Sequence, residues 1–203
     1  CSSAGRGTMR RSATKHRAIL DAAGRLVVAQ GYHSTSIDAV AAEAGSGKQT
    51  IYRWWPSKAD LFVEVYDDLV DRDVLTKAFH RHEASLEAGL TALLEQLFRF
   101  YETTPAGRIL SGLIGEAAQN EPIRNALRTG LVIGRAPIVV DLVSAFIAVN
   151  TGQGAVSAVV VNEMIVALVW KRLVMHEVLD SDAAHEISCL AVAAGRDGGG
   201  RER

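Results

Sequence analysis
The sequence predicts an all-α protein, a small three-helix head on a larger helical body. Three observations carry that expectation. Aromatic residues make up only 6 % of the 203 positions while 48 % are hydrophobic, and the wealth of Ala, Val and Leu favours packed helices over an aromatic-rich β sandwich. Apolar side chains recur at helical spacing along most of the chain. Only four prolines interrupt it, and several segments end at glycine or open at proline. The length suits one compact unit or two small ones sharing a core.

The first helix should begin near Ser12 or Thr14 and run to Gln30, with Ile19, Ala22, Ala23, Leu26 and Val27 on one face. Gly31 stops it as a left-handed cap, and Tyr32 folds back onto the last turn. Thr35, three residues before Asp38, reads as a capping-box start for a short helix whose Ile37, Val40 and Ala41 face inward. Gly45, Ser46 and Gly47 close that helix, and a second short helix over GKQTIYRWW ends at Pro56. From an N-cap at Ser57 a longer helix should reach about His80, its stripe set by Leu61, Phe62, Val65 and Leu69.

Leu86, Leu90, Leu93, Leu94, Leu97, Phe98 and Tyr101 mark the next helix. Thr104-Pro105 opens another, with Thr as cap and Pro in the first position. Glu121-Pro122 opens one that Gly134 and Pro137 should kink or divide. The segment from about Ala155 to His176 is apolar nearly all round, which predicts burial on two sides, one against the core and one against a partner chain. A last helix should span about Ser181 to Ala194, with Ala184, Ile187, Leu190, Ala191 and Ala194 as its apolar positions.

Charge divides the chain. Residues 1–60 hold nine Lys or Arg against four acids, a net +5, and the remainder holds 13 against 19, a net −6. A basic head on an acidic body suits a nucleic-acid partner for the head alone, and chance asymmetry fits the charge equally well. Cys1 and Cys189, one in each tail, allow no disulfide framework, so a reducing compartment is the simpler reading and Cys189 reads as a small apolar side chain. The basic start CSSAGRGTMRRSATKHR lacks the apolar stretch of a secretory signal. The longest apolar runs fall well short of the roughly 20 residues a membrane helix needs. The expectation is a soluble, cytoplasmic protein with no membrane partner.

Two short helices joined by a glycine-containing turn make a helix-turn-helix. Val40 and Ala41 before the turn and Ile51 after it are small or β-branched, as a close helix contact requires. A plain αα-hairpin with no role on DNA satisfies the same pattern. Tyr52, Trp55, Pro56, Ser57, Lys58 and Leu61 narrow the choice, because the string ILDAAGRLVVAQGYHSTSIDAVAAEAGSGKQTIYRWWPSKADL resembles the DNA-binding head of the tetracycline-repressor (TetR) family. The resemblance is dense over about the first 65 residues and architectural beyond them.

The resemblance implies a helix-turn-helix DNA-binding domain over residues 12–60 and a helical effector-binding and dimerisation domain over 61–195. A flexible basic arm over 1–11 and a flexible tail over 196–203 complete the division. The recognition helix, at about Gly47 to Trp54, would enter the major groove of double-stranded operator DNA. Lys48 and Gln49 are the expected base readers, Lys donating to guanine O6 and N7 and Gln pairing with adenine. Thr50, Tyr52 and Trp54 are expected at phosphates, with Lys58 at the start of the following helix, and Thr35 and Ser46 at flanking phosphates. Ser46 and Gly47 depart from the family pattern, which has a valine-like residue after the turn glycine. Trp55 is assigned to the core; Arg53, Arg10, Arg11 and Lys15 stand between backbone contact and plain solubility.

For the body, the resemblance implies that the last two helices pair with their copies in a four-helix bundle, a two-fold homodimer. Its recognition helices would lie about 34 to 36 Å apart over a palindromic operator. It also implies a small-molecule effector, apolar or amphipathic from the content of the later helices. Phe98, Tyr101, Arg108, Asn162, Met164 and Trp170 are its candidate lining, each read more readily as core or dimer contact. The expected function is a sequence-specific transcriptional regulator, a repressor released from DNA by that effector. A dimeric DNA binder without an effector, or an activator, is the alternative. An all-helical enzyme finds little support, since the histidines form no HExxH pattern and no phosphate-cradling glycine string follows a strand. No cofactor and no metal site are expected, and His80-x-His82 beside Glu83 reads as a solvated loop.

Overall fold
The structure, a computed structural model, describes residues 4–72, 85–128 and 157–196. All regular elements among the described residues are α-helices: α1 (Ala4–Gln30), α2 (Ile37–Glu43), α3 (Lys48–Trp54), α4 (Lys58–Arg72), α5 (Leu86–Thr103), α6 (Ala106–Ala117), α7 (Glu121–Arg128), α8 (Ala158–Val174) and α9 (Ser181–Arg196). None of them is long and apolar enough to cross a membrane. The expected reach of α4 to His80, the His80-x-His82 pair, the Gly134 and Pro137 kink and most of the expected tail lie outside the described residues. The chain divides into two compact units, one drawn from Cys1–Arg72 and Pro105–Arg124, the other from Asp73–Thr104 and Asn125–Arg203.

In the first unit α1 touches α2, α4 and α6, α2 touches α3, and α4 touches α6. Ile19, Leu20, Ala22, Ala23 and Val27 of α1 are buried with Val40 of α2, Ile51 of α3, Leu61, Phe62 and Val65 of α4 and Ile109, Leu110 and Leu113 of α6. The helix begins at Ala4, where the sequence placed a flexible arm and a start near Ser12 or Thr14. No proline stands in between, and Met9, Arg10 and Arg11 favour helix, against Gly5 and Gly7, which do not.

The punctuation of this unit follows from backbone chemistry. Gly31, at φ +82°, ends α1 with its N–H on the Val27 carbonyl at 2.9 Å, and Gly45, at φ +58°, ends α2, with the Ser46 N–H on the Ala41 carbonyl at 2.9 Å. Both glycines hold left-handed conformations that a Cβ would oppose. The cap of α2 is Ser36 and not Thr35: the Ser36 Oγ accepts the Ala39 N–H at 3.1 Å. Ser57 caps α4 reciprocally with Asp60, its Oγ accepting the Asp60 N–H at 3.2 Å while the Asp60 carboxylate accepts the Ser57 N–H at 3.0 Å. Thr104 does not cap α6; it closes α5 by donating to the Phe100 carbonyl at 2.7 Å, and α6 begins one residue after Pro105.

In the second unit α9 touches both α5 and α8. Ser85 caps α5 and Ser157 caps α8, each hydroxyl accepting the N–H three residues on. Leu90, Leu94, Phe98 and Tyr101 of α5 are buried, as are Ala184, Ile187, Ala191 and Val192 of α9. In α8 the buried residues form a single row, Val161, Ile165, Val169 and Leu173. The second side, which the sequence expected to be covered, is open in the single chain: Val159 is 60 % and Val160 49 % exposed.

Candidate nucleic-acid interface
The seven residues of α3 are held by one inward side chain. Ile51 is fully buried, whereas Lys48, Gln49, Tyr52 and Arg53 are exposed and Thr50 and Trp54 half-buried. Gly47 precedes the helix without a side-chain cap, so the N-terminal N–H groups of α3 depend on other partners. The Lys48 ammonium lies 2.9 Å from Asp38 Oδ1 of α2 and 5.9 Å from the Tyr52 ring centroid. The hydrogen bond to Asp38 raises the Lys48 pKa. The pair is solvent-exposed, so water and salt weaken it.

Behind α3, its C-terminal end is fixed by a carboxylate with two partners. Trp55, 2 % exposed, donates its indole N–H to Glu64 Oε2 at 2.6 Å, and His16 Nε2 lies 2.9 Å from Glu64 Oε1. The His16 ring stacks obliquely on Trp55 at 4.9 Å and on Trp54 at 5.4 Å. Trp54 is thereby half-engaged by α1, and the Arg53 guanidinium lies over its outer side at 5.8 Å. Sequence reasoning placed Trp55 in the core but missed Glu64 and His16. No local signal marks them, because the two lie 48 residues apart and meet only when α1 crosses α4.

Two expected phosphate contacts are used differently. Thr35 is 1 % exposed and its hydroxyl donates to the Gly31 carbonyl at 2.8 Å, which corrects its assignment to DNA: the side chain completes the end of α1. Lys58 donates to the Tyr32 carbonyl at 2.7 Å and the His33 carbonyl at 3.3 Å, and its ammonium sits 4.3 Å from the Tyr32 ring centroid. Burial pushes its pKa down, and at most one of its three protons faces a phosphate. Ser46 is half-buried and its Oγ has no hydrogen-bond partner. Lys48, Gln49 and Tyr52 stay exposed on α3, with Thr50 and Trp54 half-buried beside them.

Tyr32 is the junction of this unit. Its ring meets Phe62 of α4 edge-on at 5.1 Å and lies directly on Gly112 of α6, where a Cβ would overlap it. Burial raises the phenol's pKa. Arg108, also on α6, donates to the Val28 carbonyl near the end of α1. That contact ties Arg108 to α1 within the first unit.

Of the other expected effector residues, Phe98 and Tyr101 are buried on α5, and Asn162, Met164 and Trp170 are half-buried on α8. The Asn162 Oδ1 and the Trp170 Nε1 are buried without a hydrogen-bond partner. A cleft of about 440 Å³ lies in the first unit, bounded by Leu20, Gly24, Val28, Val65, Leu69 and Pro105 with Asp21, Arg25 and Asp68 at its polar side. None of the six expected effector residues lines it. Its charged side chains are tied together: Arg17 bridges both oxygens of Asp68 at 2.6 and 2.7 Å, and Arg25 holds Glu43 of α2 at 3.1 Å.

Comparison with known proteins gives two family matches along the chain. Residues 19–65 match the family model for bacterial regulatory proteins of the tetR family, and residues 81–190 match that for the tetracyclin repressor-like C-terminal domain. The chain is 30 % identical over 115 residues to the uncharacterized HTH-type transcriptional regulator YdeS of Bacillus subtilis, a match over 56 % of this chain and 55 % of that protein. The match thus spans about half the length of that relative. Among solved structures, a TetR family transcription regulator aligns with a TM-score of 0.63 at 25 % identity, covering 89 % of this chain and 97 % of the other. The transcriptional regulator FadR of Bacillus subtilis in complex with stearoyl-CoA aligns with a TM-score of 0.62 at 16 % identity, over 88 % and 98 %, a likeness of fold.

Proposed function
The chain belongs to the tetracycline-repressor family of bacterial transcriptional regulators, and from that premise we propose that it is a homodimeric repressor, released from a palindromic operator by an apolar or amphipathic small molecule. The observation that carries the DNA-binding half is α3 itself: one buried anchor, Ile51, with Lys48, Gln49 and Tyr52 turned outward on the basic part of the chain. Lys48 and Gln49 read bases; Thr50, Tyr52, Trp54 and the remaining proton of Lys58 hold phosphates.

Dimerisation through α8 and α9 is supported by where the chain leaves large apolar side chains in water. Val159 and Val160 of α8, Met175 and Val178 after it, and Leu190 of α9 are all about half exposed or more. Large apolar side chains left in water along this pair of helices support a partner surface there. The effector half rests on Asn162 and Trp170, whose buried polar atoms lack partners and therefore favour a ligand with its own hydrogen-bonding groups. The acyl-CoA held by the structurally similar FadR is amphipathic in the same sense.

Duplexes selected from a random pool, measured by fluorescence anisotropy, test the reading. Lys48→Ala and Gln49→Ala should change which bases are preferred. Lys58→Ala should weaken all duplexes alike and reduce the salt slope by about one unit or less. Equal losses on every sequence in all three variants would remove the base readers. A thermal-shift screen of fatty acids and acyl-CoAs should then find a compound that also releases DNA 5- to 150-fold, a coupling of about 1 to 3 kcal/mol. Binding without release would favour a regulator with no effector.

A further inference from the structure
Where α5 and α9 meet, three side chains of different metal-binding chemistry converge. Glu87 stands in the first turn of α5, and His185 and Cys189 are one turn apart on α9, a spacing that stacks side chains on one face. The His185 Nε2 lies 3.5 Å from the Cys189 Sγ, and its Nδ1 lies 3.9 Å from Glu87 Oε1. One ligand atom from each residue falls within 4.8 Å of the other two. Bonds of about 2.3 Å to sulfur and about 2.0 to 2.2 Å to nitrogen and oxygen, set at tetrahedral angles, place neighbouring donors roughly 3.4 to 3.6 Å apart. The edge between the Cys189 sulfur and the His185 Nε2 already has that length, and the Glu87 carboxylate, 3.9 Å from the other ring nitrogen, joins by side-chain rotation. At 3.9 Å the His185–Glu87 approach is within ion-pair range though too long for a hydrogen bond, and Glu87 also accepts a hydrogen bond from the Cys189 thiol. His185 is exposed and its neighbours are half-buried, which leaves an ion a way in.

We propose that Glu87, His185 and Cys189 bind one thiophilic divalent transition-metal ion, zinc foremost, with water in the fourth position. The donor set decides the class of ion. A thiolate with an imidazole selects zinc and its neighbours over magnesium and calcium, which demand oxygen. On binding, the Cys189 thiol gives its proton to solvent as the sulfur–metal bond forms. The ion would clip α5 to α9 and stiffen the second unit. The test of this site reads neither DNA nor effector binding.

The full chain carrying Cys1→Ser, which leaves Cys189 as its one cysteine, is stripped of metal by chelation under reducing conditions and titrated with cobalt(II). One equivalent should give the intense visible bands of tetrahedral cobalt together with a thiolate-to-cobalt charge-transfer band in the near ultraviolet, and zinc should bleach both. Cys189→Ser should abolish the charge-transfer band, and His185→Gln and Glu87→Gln should each weaken cobalt binding more than about tenfold. Absence of the charge-transfer band, or a band indifferent to His185→Gln and Glu87→Gln, overturns the site. A second readout needs no further variant: zinc should protect Cys189 from iodoacetamide where magnesium does not, and equal alkylation under all three conditions is evidence against the proposal.

Discussion
The two helices α3 and α8 solve opposite problems. α3 spends a single residue, Ile51, on the interior and turns Lys48, Gln49 and Tyr52 outward. α8 buries a row of four, Val161, Ile165, Val169 and Leu173, and still leaves Val159 and Val160 in water. Seven residues with one anchor cannot be stable alone, so α3 depends on its surroundings: the α2 turn ahead of it and the Glu64, Trp55 and His16 contacts behind it. α8 needs no such scaffolding but carries surface that a single chain does not cover. What the two helices leave outside differs in kind, charged and hydrogen-bonding in one case, apolar in the other.

The contrast can be broken most forcefully at Ile51. Ile51→Ala should cost about 2 to 5 kcal/mol of the first unit's stability and abolish DNA binding, while self-association, followed by sedimentation, stays as before. Loss of both would show that the regions are not separable. A smaller effect is expected on the other side. Val160→Glu should weaken self-association by more than about tenfold, roughly 1.4 kcal/mol, with a circular dichroism spectrum like the parent's; an unchanged sedimentation profile would take α8 out of the interface. The smallest concerns the Lys48–Asp38 pair. Asp38→Asn should tighten binding to DNA a few-fold at low salt, with the gain fading as salt rises. A loss of affinity would instead mean that Asp38 positions Lys48 for its base.

The same contrast explains what could be read from the sequence. The head announces itself through local rules: Gly31 and Gly45 as left-handed caps, Ser57 with Asp60 as a capping box, and a short amphipathic helix between turn and proline. Where one local rule competed with another, the reading slipped. Thr35 and Ser36 are both good caps, and only burial decides that Ser36 takes the helix while Thr35 turns inward to Gly31. The reach of Arg108 to Val28, 80 residues away, has no sequence signature. The convergence of Glu87 on His185 and Cys189 was invisible for the same reason. His185 and Cys189 are visibly one turn apart, but their third member arrives on a helix nearly a hundred residues earlier.

The closeness of Tyr32 to Gly112 has a mechanical meaning. With no side chain at that position, α6 meets an aromatic ring that is itself pinned by Phe62 and by the Lys58 ammonium, so there is no flexible group between them to take up slack. A displacement of α6 along its axis cannot be absorbed by a rotamer change at Gly112; it must push the ring, and with it the segment from Gly31 to Thr35 that leads into α2. The glycine thus acts as a direct-drive joint, giving the helix that follows Pro105 a stiff lever on the turn that leads into α2.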